Sequence, residues 1–285
     1  MQHSRARPRI ETKLMAIPSP HRLVATLLLA TAPFVLSVPA SRAAEQTLPA
    51  PPAPTIATAA ASTAARADAF STKTKSLARR PGLLVTYLDS RAGKLFLELP
   101  RPAGPRAECG RFLYLEGIET GLGSNPVGLD RGQAGEARVV VFRRVGGRVF
   151  LEQPNLRYRA QSSDSNEVRA VRESFATSVL WGGEIAAEAP DGRLLVDLTP
   201  FLVRDAHRVA ATLKSTGQGA FTLDKDRSAL EPARCKSFPD NLEFEALLTF
   251  AGEEPGPEVV ATAPTPQAVT LAQHQAFVRL PDTGY

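Results

Sequence analysis

Cysteine and histidine are scarce in this chain, and their scarcity excludes most metal chemistry. The 285 residues hold two cysteines, Cys109 and Cys235, and four histidines. Beyond residue 43 only His207 and His274 remain, and no H-E-x-x-H occurs, so the sequence offers no zincin-type site. A site assembled from Cys109, His207, Cys235 and His274 would lack the close ligand pairs that structural zinc favours. No cofactor is expected in this chain, and no metal or catalytic residue is assigned. In an oxidising compartment Cys109 and Cys235 could form one disulfide; the alternative is two unrelated small hydrophobes. Serine chemistry is missing too: Leu122 stands two residues before Ser124, where a G-x-S-x-G elbow requires glycine. Carboxylate pairs such as Asp224 with Asp226 and Glu243 with Glu245 exist. The glutamates alternate with Leu242, Phe244 and Ala246, as on a half-exposed strand.

Long apolar runs are equally rare. The one that stands out, Leu23 to Ala40, is interrupted by Pro33 and Pro39, preceded by basic residues and followed by small residues at Ser41 and Ala43. That pattern reads as a cleaved signal peptide over residues 1–43, with Met15 as an alternative start. The expected location is therefore exported, periplasmic or extracellular, with no stable membrane anchor after cleavage. Charge of one sign is lacking as well. The chain carries 34 Lys+Arg against 29 Asp+Glu, but residues 1–43 contain six of the basic residues and one acid, which leaves 28 of each. The exported part is neutral, so nothing points to a nucleic-acid partner.

What is present is alternation. Residues 44–69, rich in Ala, Pro and Thr, read as a disordered or extended linker, and residues 70–285 as one β-rich folded region. In GKLFLEL from Gly93, Leu95, Leu97 and Leu99 share one face, with Lys94 and Glu98 on the other. Related strands begin at Gly147 and Gly192; each follows a turn and an earlier strand, at Leu83, Ala137 and Glu184. Three hairpins of one design result. Two helices are expected among them. The first is capped by Asp164, carries the stripe Val168, Val171, Phe175 and Val179, and runs to Gly182. The second starts at Thr199–Pro200 and buries Leu202, Ala206, Val209 and Leu213. The fold class is thus α+β, mainly antiparallel sheet built from hairpins, with two packed helices. Further strands follow at Phe221, Leu242 and Val269, and the turn Pro281–Gly284 makes the end at Tyr285 look cut.

The segment TGLGSNPVGLDRGQ, Thr120 to Gln133, is glycine-rich without the G-K-[ST] of a phosphate loop. Its glycines suit tight turns with positive φ. Its polar residues, Asn125, Asp130, Arg131 and Gln133, make it the expected binding or docking place. This segment, then NLRYRA from Asn155, ESFATSVLWG from Glu173 and LVDLTPFLVRDA from Leu195, resembles the N-terminal domain of unknown function of large bacterial exported zinc-dependent metalloproteases. The resemblance implies a region preceding an H-E-x-x-H catalytic domain that this chain lacks. The zinc ligands and general-base glutamate have no counterpart here. On that basis the expected function is a non-catalytic N-terminal region that scaffolds or shields a catalytic domain. Its partners would be that downstream domain and a peptide substrate. Zinc would belong only to the full-length family. The alternative is a free-standing exported β-rich binding module.

Overall fold

The structure is a computed structural model and describes residues 56–281, with side chains from residue 65 onward. The expected signal peptide, residues 1–43, lies outside the described residues.

The described chain opens with helix α1 (Ile56–Thr74). Strands β1 (Ala78–Arg80), β2 (Val85–Asp89), β3 (Lys94–Leu99), β4 (Glu108–Ile118), β5 (Arg138–Val145) and β6 (Arg148–Gln153) follow. Next come α2 (Ser165–Ser174), β7 (Ser178–Glu188), β8 (Leu194–Asp197), α3 (Thr199–Leu202) and α4 (Val209–Ser215). The chain ends through β9 (Phe221–Leu230), β10 (Lys236–Ser237), β11 (Asn241–Gly252), α5 (Pro257–Thr262) and β12 (Ala268–Arg279). All strands join one antiparallel sheet, ordered β1-β2-β3-β8-β7-β6-β5-β4-β12-β11-β10, with β9 also on β11.

The three hairpins form as the alternation predicts: β2 with β3, β5 with β6, and β7 with β8. The sheet curls into a half-barrel. Its two ends meet where Leu83 N–H donates to Phe238 O at 2.6 Å and Ser237 Oγ donates to Leu84 O at 3.0 Å. Gly82 permits this approach, since a Cβ there would sit 2.1 Å from Ser237 Oγ and 2.7 Å from Phe238 O. Leu95, Leu97 and Leu99 join the main core on the enclosed face, together with Leu194, Val196, Phe244 and Phe250. Phe277 lies within an aromatic cluster there, its ring 5.3 Å from Tyr114, 5.5 Å from Phe142 and 5.9 Å from Phe201.

The opposite face of β3, expected to be solvated, is covered by α1. Phe70 packs on Tyr87 and Phe96 in a second, smaller core, and Glu98 is buried with Tyr87 and Arg193 as partners. The expected linker thus holds the start of a helix, and residues 44–55 of it lie outside the described residues. The physical reason is alanine, the best helix former, which dominates from Ile56 to Ala65.

The expectation of two packed helices needs correction. Asp164 does cap α2, its Oδ1 accepting from Asn166 N–H at 2.8 Å, but the helix stops at Ser174 and buries none of its residues. Phe175 is already extended (φ −125°, ψ 129°), and Ser178 pairs with Gln153 to begin β7. Strand pairing outcompetes the helical stripe in a stretch rich in β-branched and aromatic residues. The second helix is split into α3 and α4. Its expected inner face is buried nonetheless, at Leu202, Ala206, Val209 and Leu213. The break is built by side chains: Asp205 accepts from Val209 and Ala210 N–H (2.7 and 3.0 Å), and Gln273 Oε1 accepts from Ala206 and His207 N–H (2.9 and 3.1 Å).

Cys109 and Cys235 are two buried free thiols rather than a disulfide. Cys109 starts β4 and Cys235 precedes β10, with β12 and β11 between those strands in sheet order. Burial pushes the Cys109 thiol up to about 11 and raises that of Cys235.

Candidate functional site

The glycine-rich loop folds as a core-packing turn system. Gly123, Gly128 and Gly132 take positive φ, Leu122 N–H donates to Leu129 O at 2.8 Å, and Leu122, Val127 and Leu129 are buried. Gly121 is required where the strands of the loop meet, since a Cβ would come within 2.5 Å of Arg131 N. The loop is fastened by Ser124 Oγ donating to Glu258 Oε2 at 2.5 Å. Asn125, Arg131 and Gln133 are exposed and Asp130 half-buried. Asn125 sits on one turn, and Asp130 and Gln133 span the next, where Gln133 N–H donates to Asp130 O. Among the described residues no hydrogen bond joins any of these four side chains to another group.

A different segment has the features of a binding site. Residues 154–177 connect β6 to β7 as an arm that carries α2. The arm is closed at its base by the Gln153–Ser178 pair and by Asn155 Nδ2 donating to Ala176 O at 3.3 Å. Arg157 N–H donates to Asn155 Oδ1, and this turn places Tyr158 on Phe175 with rings stacked at 3.9 Å and 8°. Nine large apolar side chains are exposed among the described residues. Five of them, Leu156, Tyr158, Val168, Phe175 and Val179, lie on or just past this arm with 37% to 52% of their surface open. Such clustering is the mark of an interaction surface, whereas scattered exposed residues need no explanation.

Between the arm and β4 lies a cavity of about 300 Å³. Its apolar wall is made by Leu156, Tyr158, Val168, Val171 and Phe175. Its charged lining is Arg106, Arg111, Arg159 and Arg172, with no acidic residue. Two of these arginines are neutralised from behind. Arg111 binds Glu108 through two contacts of 3.0 Å, and Arg106 pairs with Glu152, which also accepts from Arg143 Nε at 3.1 Å. Arg159 and Arg172 have no carboxylate within 4.0 Å among the described residues. The site therefore offers an apolar floor beside guanidinium groups that no carboxylate among the described residues neutralises.

The sequence carried this site in disguise. The stripe Val168, Val171, Phe175 and Val179 was legible, but its periodicity read as a face turned to the core. The signal that could have redirected it is the polar run Gln161 to Asp164 before α2, with charges at Glu167, Arg169, Arg172 and Glu173 within so short a helix.

Elsewhere the histidines serve structure. His274 Nε2 lies 2.5 Å from Glu243 Oε2 on neighbouring strands, and that carboxylate raises the imidazole pKa, with Glu245 and Glu119 adding to it. His207 lies in the break between α3 and α4, its N–H held by Gln273. No group of three or more His, Cys, Asp or Glu residues is arranged to hold a metal ion among the described residues. No helix among them is long and apolar enough to cross a membrane.

The fold is a β-rich domain whose β6–β7 arm carries exposed apolar side chains beside a cavity. Its family follows from comparison: residues 132–285 match the domain of unknown function DUF5117, and since this spans more than half of the chain, the protein belongs to that family. The match begins in the glycine-rich loop and includes the whole arm. Neither the curated proteins nor the solved structures contain a match to the chain.

Proposed function

We propose that the protein is a non-catalytic region of an exported zinc-dependent metalloprotease and that it works by binding, with the arm as its docking point. The observation that carries this reading is the concentration of exposed apolar side chains around the arm cavity, where five of the nine exposed among the described residues gather. Two of the motifs on which the metalloprotease resemblance rests, NLRYRA and ESFATSVLWG, fall on the two legs of the arm, the second continuing into β7, so the resemblance and the site overlap. In this reading any zinc would be held by the catalytic domain, and would serve there as a Lewis acid. The present domain scaffolds or shields that domain, or positions a peptide for it.

The experiment is a binding titration of residues 44–285 against the H-E-x-x-H domain of a longer protein of the same family. Saturable binding that is lost on Val168→Asp with Phe175→Asp supports the proposal. Undiminished binding by that variant counts against it. One feature favours the second reading, a free-standing exported binding module. The sheet brings its own two ends together, and β12 is paired on both sides, by β4 and β11. That reading gains if the arm captures peptide while the catalytic domain shows no affinity.

A further inference from the structure

We infer that the arm cavity takes an acidic segment of a partner protein, one that presents a carboxylate beside a large apolar side chain. The inference rests on the reading of the arm as a docking surface and adds the chemistry of what docks. The carboxylate belongs between Arg159 and Arg172. The apolar side chain belongs on the wall formed by Val168, Val171 and Phe175.

Charge complementarity is the first argument. Four arginines and no acid line the cavity. Glu108 and Glu152 engage Arg106 and Arg111, while Arg159 and Arg172 keep their fork of donors uncommitted to any carboxylate among the described residues. Guanidinium recognises carboxylate through two parallel hydrogen bonds, so a pair of unengaged arginines selects for that group. The second argument is the wall. A small inorganic anion would satisfy the arginines and leave Leu156, Val168 and Phe175 open to water. A segment bearing both functions covers the apolar surface at the same time. Shape is the third. The cavity lies between the arm and β4, and the arm leaves the sheet through the Gln153–Ser178 pair with its two legs tied by Asn155 and Ala176, so it suits a chain laid across it. Nucleic acid is disfavoured by the neutral balance of the chain beyond residue 43.

The test is fluorescence polarisation of residues 44–285 with a labelled short peptide alternating glutamate with leucine and phenylalanine. A matched peptide has glutamine in place of every glutamate. The glutamate peptide is expected to bind about tenfold more tightly than the glutamine one, and its affinity to fall as salt is raised. Arg159→Ala with Arg172→Ala should remove that preference, and the corresponding lysine pair should restore part of it. Both positions are exposed, so the folded state is expected to survive, and circular dichroism of each variant checks it. Equal binding of the two peptides, or an alanine pair that binds like the parent, overturns the inference. So does tighter binding to anionic lipid vesicles than to the peptide, or sedimentation showing that a second copy of the chain occupies the arm. Failure of the peptide while the catalytic domain still binds through the arm removes this inference alone. Peptide binding without any domain binding leaves the site and removes the protease scaffold.

Discussion

The α2 arm and the α3–α4 segment carry similar apolar stripes at helical spacing, yet they meet opposite fates. In α3–α4, Phe201, Leu202, Val209 and Leu213 are fully enclosed. In α2 nothing is buried. Both composition and polar anchoring separate them: α2 holds only Val168, Ala170 and Val171 as apolar residues, with Phe175 and Val179 beyond its end. The α3–α4 backbone is held by Gln273 and by Gln275, whose Nε2 donates to Leu202 O at 2.7 Å. Tyr114 joins the network by donating to Gln275 Oε1 at 2.9 Å and accepting from Arg204 at 3.1 Å. Burial at Tyr114 raises its phenol pKa well above the ordinary range, which keeps the hydroxyl a donor. The arm has anchors only at its base. An amphipathic stripe says that a segment has two faces; buried partners elsewhere decide which face is covered and by what.

The contrast should appear as stability. Phe201→Ala, in the enclosed aromatic cluster, is expected to cost about 3–5 kcal/mol in urea unfolding, while Phe175→Ala on the arm costs well under ~1 kcal/mol. Equal losses would erase the distinction. A smaller effect is expected at Gln273→Leu, which strands the Ala206 and His207 N–H groups in a buried place. A loss of about 1–3 kcal/mol is predicted, with faster hydrogen exchange confined to residues 203–210. Uniform exchange changes would mean that Gln273 does not anchor this segment.

The smallest effect concerns His274, far from the arm. Its folded pKa is raised, by Glu243 above all, over an ordinary value of 6.5. The protonated pair therefore contributes its full stability below the unfolded pKa, and the contribution is lost as pH rises through the folded value. His274→Gln should flatten the stability profile from about pH 6.5 upward. An unchanged profile would show that the Glu243 contact carries no charge.

Much of the sheet was legible in the sequence because period-two alternation and glycine-marked turns are local. The β2–β3, β5–β6 and β7–β8 hairpins needed nothing from afar. The burial of Leu202, Ala206, Val209 and Leu213 was legible too, though the break between α3 and α4 was not. That break depends on Gln273, on a strand far along the chain. The cover of α1 over Phe96 and Glu98 was hidden because an alanine-rich segment gives no strong apolar stripe to announce a partner. The arm cavity was hidden for the converse reason. Its stripe was plain, and only tertiary structure shows that the sheet leaves it uncovered. The charge balance beyond residue 43 concealed the local excess of arginine at Arg159 and Arg172.

The most direct test of the account is the double variant Val168→Asp with Phe175→Asp, measured for stability and for partner binding in the same preparation. If the arm is an exposed docking surface, urea unfolding stays within about 0.5 kcal/mol of the parent, while binding to the catalytic domain proposed as its partner is lost. A loss of several kcal/mol, with binding unchanged in the fraction that remains folded, would contradict it. That outcome would return α2 to the core as a packed helix and leave the arm without a function.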